Sequence, residues 1–310
     1  MREHGGREVL ELREIDRPAH RADELLIRVA AAGLNPVDTQ VRSGSWVPDE
    51  MGEPPMVLGW DVAGTVVEAG DATSGFAPGD RVFGMPRFPA LARADAEYVA
   101  TPSTQVAHAP DAFTDEQAGA LPLAGLTAWQ ALVDTARVGE GDRVLIQAAA
   151  GGVGHLAVQI AKARGAHVIG TARAEKHDFL RELGVDQPVD YSAAPIEDAV
   201  AEVDAVIDTV SEDDAGLLGS LGVLRRGGTL VVIAGDLTPS VEETAARRDQ
   251  RATEMLVHPD QSGLKALAAL AEGGRLRVAV EESFPFERAA DAHERLEGGR
   301  VKGKLVLTPS

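Results

Sequence analysis

The 310-residue sequence has no cysteine, no apolar stretch of membrane-spanning length and no excess of basic residues. Without cysteine, disulfides, thiolate zinc sites and cysteine nucleophiles are excluded. The apolar runs fall short of the roughly 20 residues that a bilayer crossing needs, and the N-terminus lacks a signal-peptide pattern. The sequence therefore predicts a cytoplasmic protein without a membrane partner. The formal net charge of −19 argues against a nucleic-acid partner, since phosphate backbones bind basic surfaces.

The sequence does contain a strand–turn–helix–strand pattern over residues 144–173. An apolar run meets a turn of small residues, a helix is predicted over 153–164, and a second apolar run follows. Ala148, Gly151 and Gly154 have the spacing of a dinucleotide fingerprint, with alanine in the first glycine position. Free N–H groups at the positive end of the helix would bind the pyrophosphate. The predicted phosphate contacts are Ala150, Gly151, Gly152, Val153 and Gly154.

The end of the second apolar run indicates which dinucleotide is bound. Chains that bind NAD usually carry Asp or Glu about 20 residues beyond the glycines. This chain has Arg173 there, with Lys176 one helical turn further on. Cations are unfavourable at a helix start unless an anion is bound, so the pair favours the 2′-phosphate of NADP(H). Glu175 between them leaves NAD(H) open as the alternative.

Two regions of different periodicity predict two domains. Residues 7–110 have short apolar runs between glycine and proline turns, which is typical of a β-barrel-like domain. Its predicted strands lie near 25–30, 62–67, 81–83 and 97–100. A capped helix start at Thr114 opens a helix predicted to run toward Thr135.

After that helix, strands and helices alternate as in a doubly wound parallel sheet of the α/β class. The six predicted strands lie near 143–147, 167–171, 187–190, 205–208, 229–234 and 254–258. The C-terminal region is predicted to contain a helix at 262–272, a strand at 277–283, a helix at 287–296 and a strand at 303–307. We expect this last region to rejoin the first domain.

With these residues identified, nearly the whole chain resembles the zinc-free, zeta-crystallin-like quinone oxidoreductases of the medium-chain dehydrogenase/reductase family. The matching segments are AAGLNPVDTQVRSG (31–44), VLGWDVAGTVVEAG (57–70), GDRVFG (79–84), AEYVATP (96–102), AGALPLAGLTAWQAL (118–132) and FERAADAHERLEGGRVKGKLVL (286–307). The resemblance implies a Rossmann-type NADP(H)-binding domain at 116–259. It also implies a GroES-like catalytic domain of β-barrel type, formed by 1–115 and 260–310. A homodimer joined through a sheet edge near 229–234, or the neighbouring strand, is expected.

Zinc-using relatives carry a cysteine near Asn35 and a His-Glu pair where this chain has Trp60-Asp61. The eight histidines show no ligand spacing, so the sequence predicts no metal site and excludes a zinc alcohol dehydrogenase. Reducing a conjugated electrophile depends less on a Lewis acid, because the charge spreads into an enolate-like oxygen that hydrogen bonds stabilise. The predicted function is therefore an NADPH-dependent, metal-independent reductase of quinones or α,β-unsaturated carbonyls.

The resemblance also implies roles for single residues. Asn35 and Asp38 match the NPxD loop, which lies beside the nicotinamide and the substrate. Gln40 and Trp46 stand where the family often has tyrosine. Glutamine can donate a hydrogen bond to a developing oxyanion, and tryptophan can stack on a flat substrate. These four are the predicted catalytic residues. The further cofactor contacts that the resemblance implies are Thr127, Tyr191, Ala234, Gly235 and Lys304.

Two other functions stay open at this point. One is an enoyl- or alkenal double-bond reductase of secondary metabolism, which product analysis on paired substrates would separate from a quinone reductase. The other is a low-turnover NADPH-binding sensor protein, which the two absent tyrosines allow. Tight NADPH binding without oxidation by any acceptor would favour that reading.

Overall fold

The computed structural model describes residues 1–309. Contacts between residues divide the chain into two compact units. The first consists of Met1–Leu126 and the segment from Val257 onward, and the second is Thr127–Leu256. The sequence analysis places these boundaries at 115/116 and 259/260. The function of each unit stays a proposal.

The helices and strands of both units are as follows. The strands are β1 (Glu24–Leu34), β2 (Val62–Ala69), β3 (Arg81–Gly84), β4 (Tyr98–Pro102), β5 (Val106–His108), β6 (Arg143–Ile146), β7 (His167–Thr171), β8 (Gln187–Val189), β9 (Val203–Asp208), β10 (Leu224–Val232), β11 (Arg251–Glu254), β12 (Val280–Pro285) and β13 (Lys304–Thr308). The α-helices are α1 (Pro36–Ser43), α2 (Asp115–Ala120), α3 (Pro122–Trp129), α4 (Gly154–Ala163), α5 (His177–Leu183), α6 (Ile196–Ala199), α7 (Asp214–Val223), α8 (Pro239–Arg247), α9 (Gln261–Glu272) and α10 (Ala289–Glu297).

The sheet of the first unit is built around β1. Its strands lie in the order β12-β13-β1-β2-β3-β5, and β4 also pairs with β1. Strand β1 contributes side chains to two hydrophobic cores, because its register against β2 shifts between Val29 and Ala31. Before the shift, Leu25 and Ile27 enter one core, and beyond it Leu34 enters a second core with residues of β12 and β13. The start of α1 is therefore held by a strand that is buried along most of its length.

The second unit is a doubly wound parallel sheet. Its strands lie in the order β11-β10-β9-β6-β7-β8, and every neighbouring pair is parallel. Numbered within the unit, this is the 3-2-1-4-5-6 order of dinucleotide-binding sheets, with the switch point between β6 and β9. Helix α4 follows β6, which places the glycine turn at the carboxyl end of the central strand. The predicted α/β fold class is confirmed.

Two local predictions are wrong. The sixth strand was expected at 254–258, but β11 ends at Glu254. The helix expected from Thr114 toward Thr135 is interrupted: α2 ends before Pro122, which opens α3, and Gln130–Thr135 form a π-helix. Proline lacks the N–H that a continuing helix would use, and it suits a first helical turn. The predicted cap is present, since the Gln117 amide donates to Thr114 Oγ1 at 3.3 Å.

None of the helices described within residues 1–309 combines the length and the apolar character that a bilayer crossing needs.

Candidate active site

Helix α4 begins close against the strand that precedes it. Ala148 turns the chain after β6 with a φ of 44°, in the left-handed region. Its amide donates to Thr171 Oγ1 at 3.1 Å, which ties the turn to the end of β7. A Cβ on Gly154 would lie 2.2 Å from the Ala148 carbonyl oxygen. Only glycine therefore permits the helix to start this near the turn.

Three backbone amides at the start of α4 have no acceptor within residues 1–309, those of Gly152, Val153 and Gly154. The Gly151 amide, by contrast, donates to the Ala148 carbonyl at 2.8 Å. Free N–H groups at a helix N-terminus bind phosphate oxygens, and the helix dipole adds to the attraction. The glycine turn fits the pyrophosphate of a dinucleotide because it offers unused backbone donors.

A guanidinium group stands just beyond β7. Arg173 is exposed, and its Nε donates to the Tyr191 hydroxyl at 3.2 Å. That hydrogen bond raises the pKa of Arg173, so the guanidinium stays charged. Lys176 ends the 3₁₀ turn Ala174–Lys176, and its amide donates to the Arg173 carbonyl at 2.9 Å. The structure thus joins the side chains of Arg173 and Tyr191, two of the predicted cofactor contacts, and Lys176 follows in the same turn.

The other predicted cofactor contacts lie at separate points. Thr127 is buried in α3. Ala234 and Gly235 follow β10, and a Cβ on Gly235 would lie 2.7 Å from the Ser211 carbonyl oxygen. The loop after β10 therefore runs close to the loop after β9.

The loop after β9 is held by a buried carboxylate that the sequence analysis missed. Asp208 accepts hydrogen bonds from Gln147 Nε2 at 3.0 Å and Ser220 Oγ at 2.7 Å. Its other oxygen accepts from the amides of Val210 at 3.1 Å and Ser211 at 2.9 Å. The sequence does indicate this residue in one way, because Asp208 stands at the end of an apolar run. Side chains at the carboxyl ends of parallel strands lie at the edge of the sheet where ligands bind.

In the first unit, Asn35 and Asp38 stand at the start of α1. Asn35 is the N-cap residue, and its backbone N–H donates to Asp38 Oδ2 at 2.7 Å. Its side-chain amide donates to the Gly33 carbonyl at 3.2 Å and to Asp61 Oδ2 at 2.9 Å. Both amide hydrogens are used within the protein. Asn35 is therefore a fixed part of the loop rather than a spare donor.

Lys304 completes the surroundings of Asn35. Its ammonium donates to the Leu34 carbonyl at 2.9 Å and to Asn35 Oδ1, and it lies 3.5 Å from Asp61 Oδ2. Burial lowers the pKa of Lys304 and raises the pKa of Asp61, and each charge opposes the shift in the other. Three oxygens surround the three ammonium hydrogens. This environment differs from the cofactor contact predicted for Lys304.

An aromatic cluster lies near the other two predicted catalytic residues. The rings of Trp46 and Phe88 stack with centroids 6.0 Å apart, and Phe88 meets Trp60 edge-on at 5.7 Å. The Trp60 indole N–H donates to the Ala90 carbonyl at 2.9 Å. The Trp46 indole N–H has no acceptor among the described residues. Gln40 is exposed on α1.

One further acidic residue was not found from the sequence. The Asp95 amide donates to the Leu58 carbonyl at 3.0 Å, so its chain segment runs beside Gly59. Gly59 has a φ of 92°, and a Cβ on it would lie 2.3 Å from Asp95 Oδ1. Burial, and then the Asp61 carboxylate, raise the pKa of Asp95 to about 7. Nothing in the local sequence marks Asp95, because its neighbours come from distant segments.

No group of three or more His, Cys, Asp or Glu side chains in the described part of the chain is arranged to hold a metal ion. Trp60, which stands where the resemblance implies a histidine in zinc-using proteins, is fully buried.

Comparisons with known proteins agree with this architecture. Residues 21–138 match the alcohol dehydrogenase GroES-like domain, and residues 183–307 match the zinc-binding dehydrogenase family. The chain is 35% identical over 325 residues to the chloroplastic NADPH-dependent alkenal/one oxidoreductase of Arabidopsis thaliana, with 99% of this chain and 78% of the relative covered.

Two solved structures are similar over almost their whole length. The quinone oxidoreductase from Coxiella burnetii has a TM-score of 0.90 at 36% identity, covering 100% of this chain and 98% of that one. The Escherichia coli quinone oxidoreductase complexed with NADPH has a TM-score of 0.88 at 29% identity, covering 99% and 98%.

A parallel sheet with a glycine cradle, joined to a GroES-like unit, defines a dehydrogenase/reductase of the medium-chain type. The chain belongs to the medium-chain dehydrogenase/reductase family, in its quinone oxidoreductase branch. The resemblance seen in the sequence is confirmed. The second matched family is named for zinc binding, but this chain has no cysteine that could supply a thiolate ligand.

Proposed function

We propose that this protein is an NADPH-dependent, metal-independent reductase that transfers hydride to a quinone or an α,β-unsaturated carbonyl compound. The observation that carries the proposal is the glycine cradle at the start of α4, followed by Arg173 at the end of the next strand. Of the relatives named above, one is called NADPH-dependent and one is complexed with NADPH, and the three names describe an alkenal/one oxidoreductase and two quinone oxidoreductases. The second unit is the cofactor domain and the first is the catalytic domain.

Residues of the second unit hold the cofactor in this proposal. The amides of Gly152, Val153 and Gly154 bind the pyrophosphate, and Arg173 with Lys176 binds the 2′-phosphate. When bound, NADPH supplies the hydride. Thr127, Tyr191, Ala234 and Gly235 are the further proposed contacts.

Residues of the first unit orient the acceptor. Asn35, held by Asp61 and Lys304, fixes the loop that the family places beside the substrate. The partly exposed ring of Trp46, packed on the buried Phe88, provides a flat apolar surface, which suits a planar conjugated substrate. The free Trp46 indole N–H and the exposed Gln40 amide are donors for a developing oxyanion, so they replace the tyrosine hydroxyls of relatives.

The direct test is NADPH oxidation with simple quinones and enones in the presence of a metal chelator. We expect turnover that the chelator leaves unchanged. Activity abolished by chelator, or a clear preference for NADH, would contradict the proposal. Product analysis on a quinone and an alkenal of similar size identifies the double-bond reductase alternative, which the alkenal reductase relative favours. Tight NADPH binding with no oxidation by any acceptor identifies the sensor alternative.

Replacing Arg173 with alanine should change the cofactor preference. The guanidinium offers charge-assisted hydrogen bonds worth about 1.5–3 kcal/mol, so the KM for NADPH should rise roughly tenfold to a hundredfold. The KM for NADH should change little, because NADH lacks the 2′-phosphate. Steady-state kinetics with both cofactors measure the effect. Arg181→Ala, an exposed arginine on α5, is the matched control, and an equal loss for both cofactors would contradict the assignment.

Replacing Trp46 with alanine should weaken the binding of flat acceptors. Loss of the stacking surface and of one donor should raise the KM for an aromatic quinone roughly fivefold to tenfold, while the Kd for NADPH stays the same. Val47→Ala is the control, since Val47 is an exposed neighbour. An unchanged KM for quinones of every size would remove Trp46 from the substrate site.

We also propose a homodimer and a cytoplasmic location. Strand β10 is paired on both sides, by β9 and β11, so β11 is the edge that a second copy can extend. Leu256, just beyond β11, is 59% exposed and adds apolar surface to that edge. Light scattering after size-exclusion chromatography of the wild type and Leu256→Glu tests the dimer. The cytoplasmic location rests on the sequence pattern and is tested by fractionation.

A further inference from the structure

In the second unit, Gln147 joins the carboxyl end of β6 to that of β9. It follows β6 directly and precedes Ala148, where the glycine turn begins. Its Nε2 donates to Asp208 Oδ2 at 3.0 Å and to Ser220 Oγ at 2.6 Å. Its carbonyl oxygen accepts from Thr209 Oγ1 at 3.2 Å. Both the side chain and the backbone of Gln147 are therefore bonded to the end of β9 and its neighbours.

Asp208 connects this residue to the loop after β9. The side chain is fully buried, and its two oxygens have different partners. Oδ2 accepts from the side chains of Gln147 and Ser220, whereas Oδ1 accepts from the backbone amides of Val210 and Ser211. Four donors use the acceptor sites of a carboxylate in full. One carboxylate therefore holds the loop after β9 to the strand end that carries the glycine turn.

The loop after β9 is also in close contact with the chain after β10. The Ile233 amide donates to the Asp208 carbonyl at 2.9 Å. A Cβ on Gly235 would lie 2.7 Å from the Ser211 carbonyl oxygen and 3.1 Å from the Glu212 Cα. A shift of the loop toward this side would therefore meet backbone atoms. The carboxyl ends of β6, β9 and β10 form one connected group around Asp208.

This group lies on the opposite side of β6 from Arg173. Neighbouring strands run in the order β10-β9-β6-β7, and Arg173 follows β7 whereas the unused amides follow β6. A dinucleotide with its 2′-phosphate at Arg173 and its pyrophosphate at the start of α4 must extend its nicotinamide half toward β9 and β10. Val210, in the loop after β9, is 48% exposed and gives this region an apolar surface.

We propose that Asp208 is a positioning residue for the nicotinamide half of NADPH. The inference rests on the proposed function. Because its side chain is fully buried, Asp208 acts through the loop of residues 209–211, which it fixes relative to the glycine turn. A loop that is already ordered adds little to the entropic cost of binding. Correct placement of the reacting ring also determines the rate of hydride transfer.

The test compares NADPH with 2′,5′-ADP, which has the adenosine end and the 2′-phosphate but no nicotinamide. Asp208→Ala removes the acceptor of two loop amides, so the Kd for NADPH should rise roughly tenfold or more, because binding must then order the released loop. The Kd for 2′,5′-ADP should change less than about twofold. Asp208→Asn should raise the Kd for NADPH by about threefold, because a neutral oxygen accepts more weakly than a carboxylate. Isothermal titration calorimetry measures all four values.

Asp204→Ala is the matched control. Asp204 lies on the same strand, at the end away from the ligand edge, and accepts from the Arg143 amide of β6 at 2.7 Å and from Arg225. Its loss should lower stability but leave the Kd of both ligands within about twofold of the wild type. In Asp208→Ala, kcat at saturating NADPH should also fall on the order of tenfold to a hundredfold, whereas in Asp204→Ala it should not.

The outcomes separate positioning from a merely structural role. Equal weakening of NADPH and 2′,5′-ADP in Asp208→Ala, or NADPH binding that stays normal, overturns the inference. If Asp208→Ala does not fold, the ratio of the two Kd values in Asp208→Asn decides in the same way. A wild type that binds NADPH but reduces no acceptor overturns the proposed function instead, and the two Kd values still decide on Asp208.

Discussion

Replacing Lys304 with methionine should lower the free energy of unfolding by about 3–5 kcal/mol, the usual cost of removing one partner of a buried ion pair. The stem remains similar in shape, but Asp61 loses the positive charge that lowers its pKa. The pKa of Asp61 then rises further. The deficit should be largest where Asp61 is ionised and should shrink as the pH falls and Asp61 takes up a proton. Urea unfolding at several pH values measures it.

The double variant Asp61→Asn with Lys304→Met separates charge from packing. Asparagine keeps an acceptor for the Leu123 amide, and no buried charge remains unpaired. We expect it to recover more than half of the lost stability, because the penalty of a single variant is mostly the orphaned charge. Lys265→Met, on the exposed side of α9, should stay within about 0.5 kcal/mol of the wild type. A double variant as unstable as Lys304→Met would show that packing, not charge, is responsible.

The proposed cofactor site in the second unit is predictable from the sequence because its determinants are contiguous. The glycine turn, the helix that follows and the cation after the next strand all fall within residues 144–176, so local spacing is sufficient. Strand order also follows from the alternation of strands and helices. The errors occur where local pattern competes with other constraints. Proline interrupts the helix expected after Thr114, and β11 is fixed by its pairing with β10 rather than by its own composition.

The residue contacts of the first unit cannot be predicted from the sequence in the same way. Lys304 meets Asn35 and Asp61 only because β13 returns to β1 in the sheet. The resemblance implies a cofactor contact for Lys304, whereas the structure surrounds its ammonium with oxygens of Leu34, Asn35 and Asp61. Asp95 is a stronger case, since it becomes notable only through its approach to Gly59. Charges assembled by long-range pairing leave no periodic signal in one sequence.

Replacing Gly154 with alanine should abolish NADPH binding and destabilise the second unit. The new Cβ would stand 2.2 Å from the Ala148 carbonyl oxygen and 2.7 Å from the Ala149 Cα, both backbone atoms. The hydrogen bond from the Ala148 amide to Thr171 holds the turn in place. The added methyl group can therefore be accommodated only if α4 moves away from β6. Overpacking of this kind costs about 1–3 kcal/mol or more. Thermal unfolding and NADPH titration measure the two effects.

Gly151→Ala, compared with Gly154→Ala, separates the effect on NADPH binding from the effect on stability. A Cβ there would lie 3.2 Å from the same oxygen, so the fold needs to yield by only a few tenths of an ångström. The methyl group would nevertheless occupy the space through which a pyrophosphate approaches the backbone. We therefore expect near-normal stability with NADPH affinity reduced at least tenfold, about 1.4 kcal/mol. Normal NADPH binding by Gly151→Ala would mean that the phosphates do not lie on this turn, and the proposed cofactor site would have to be abandoned.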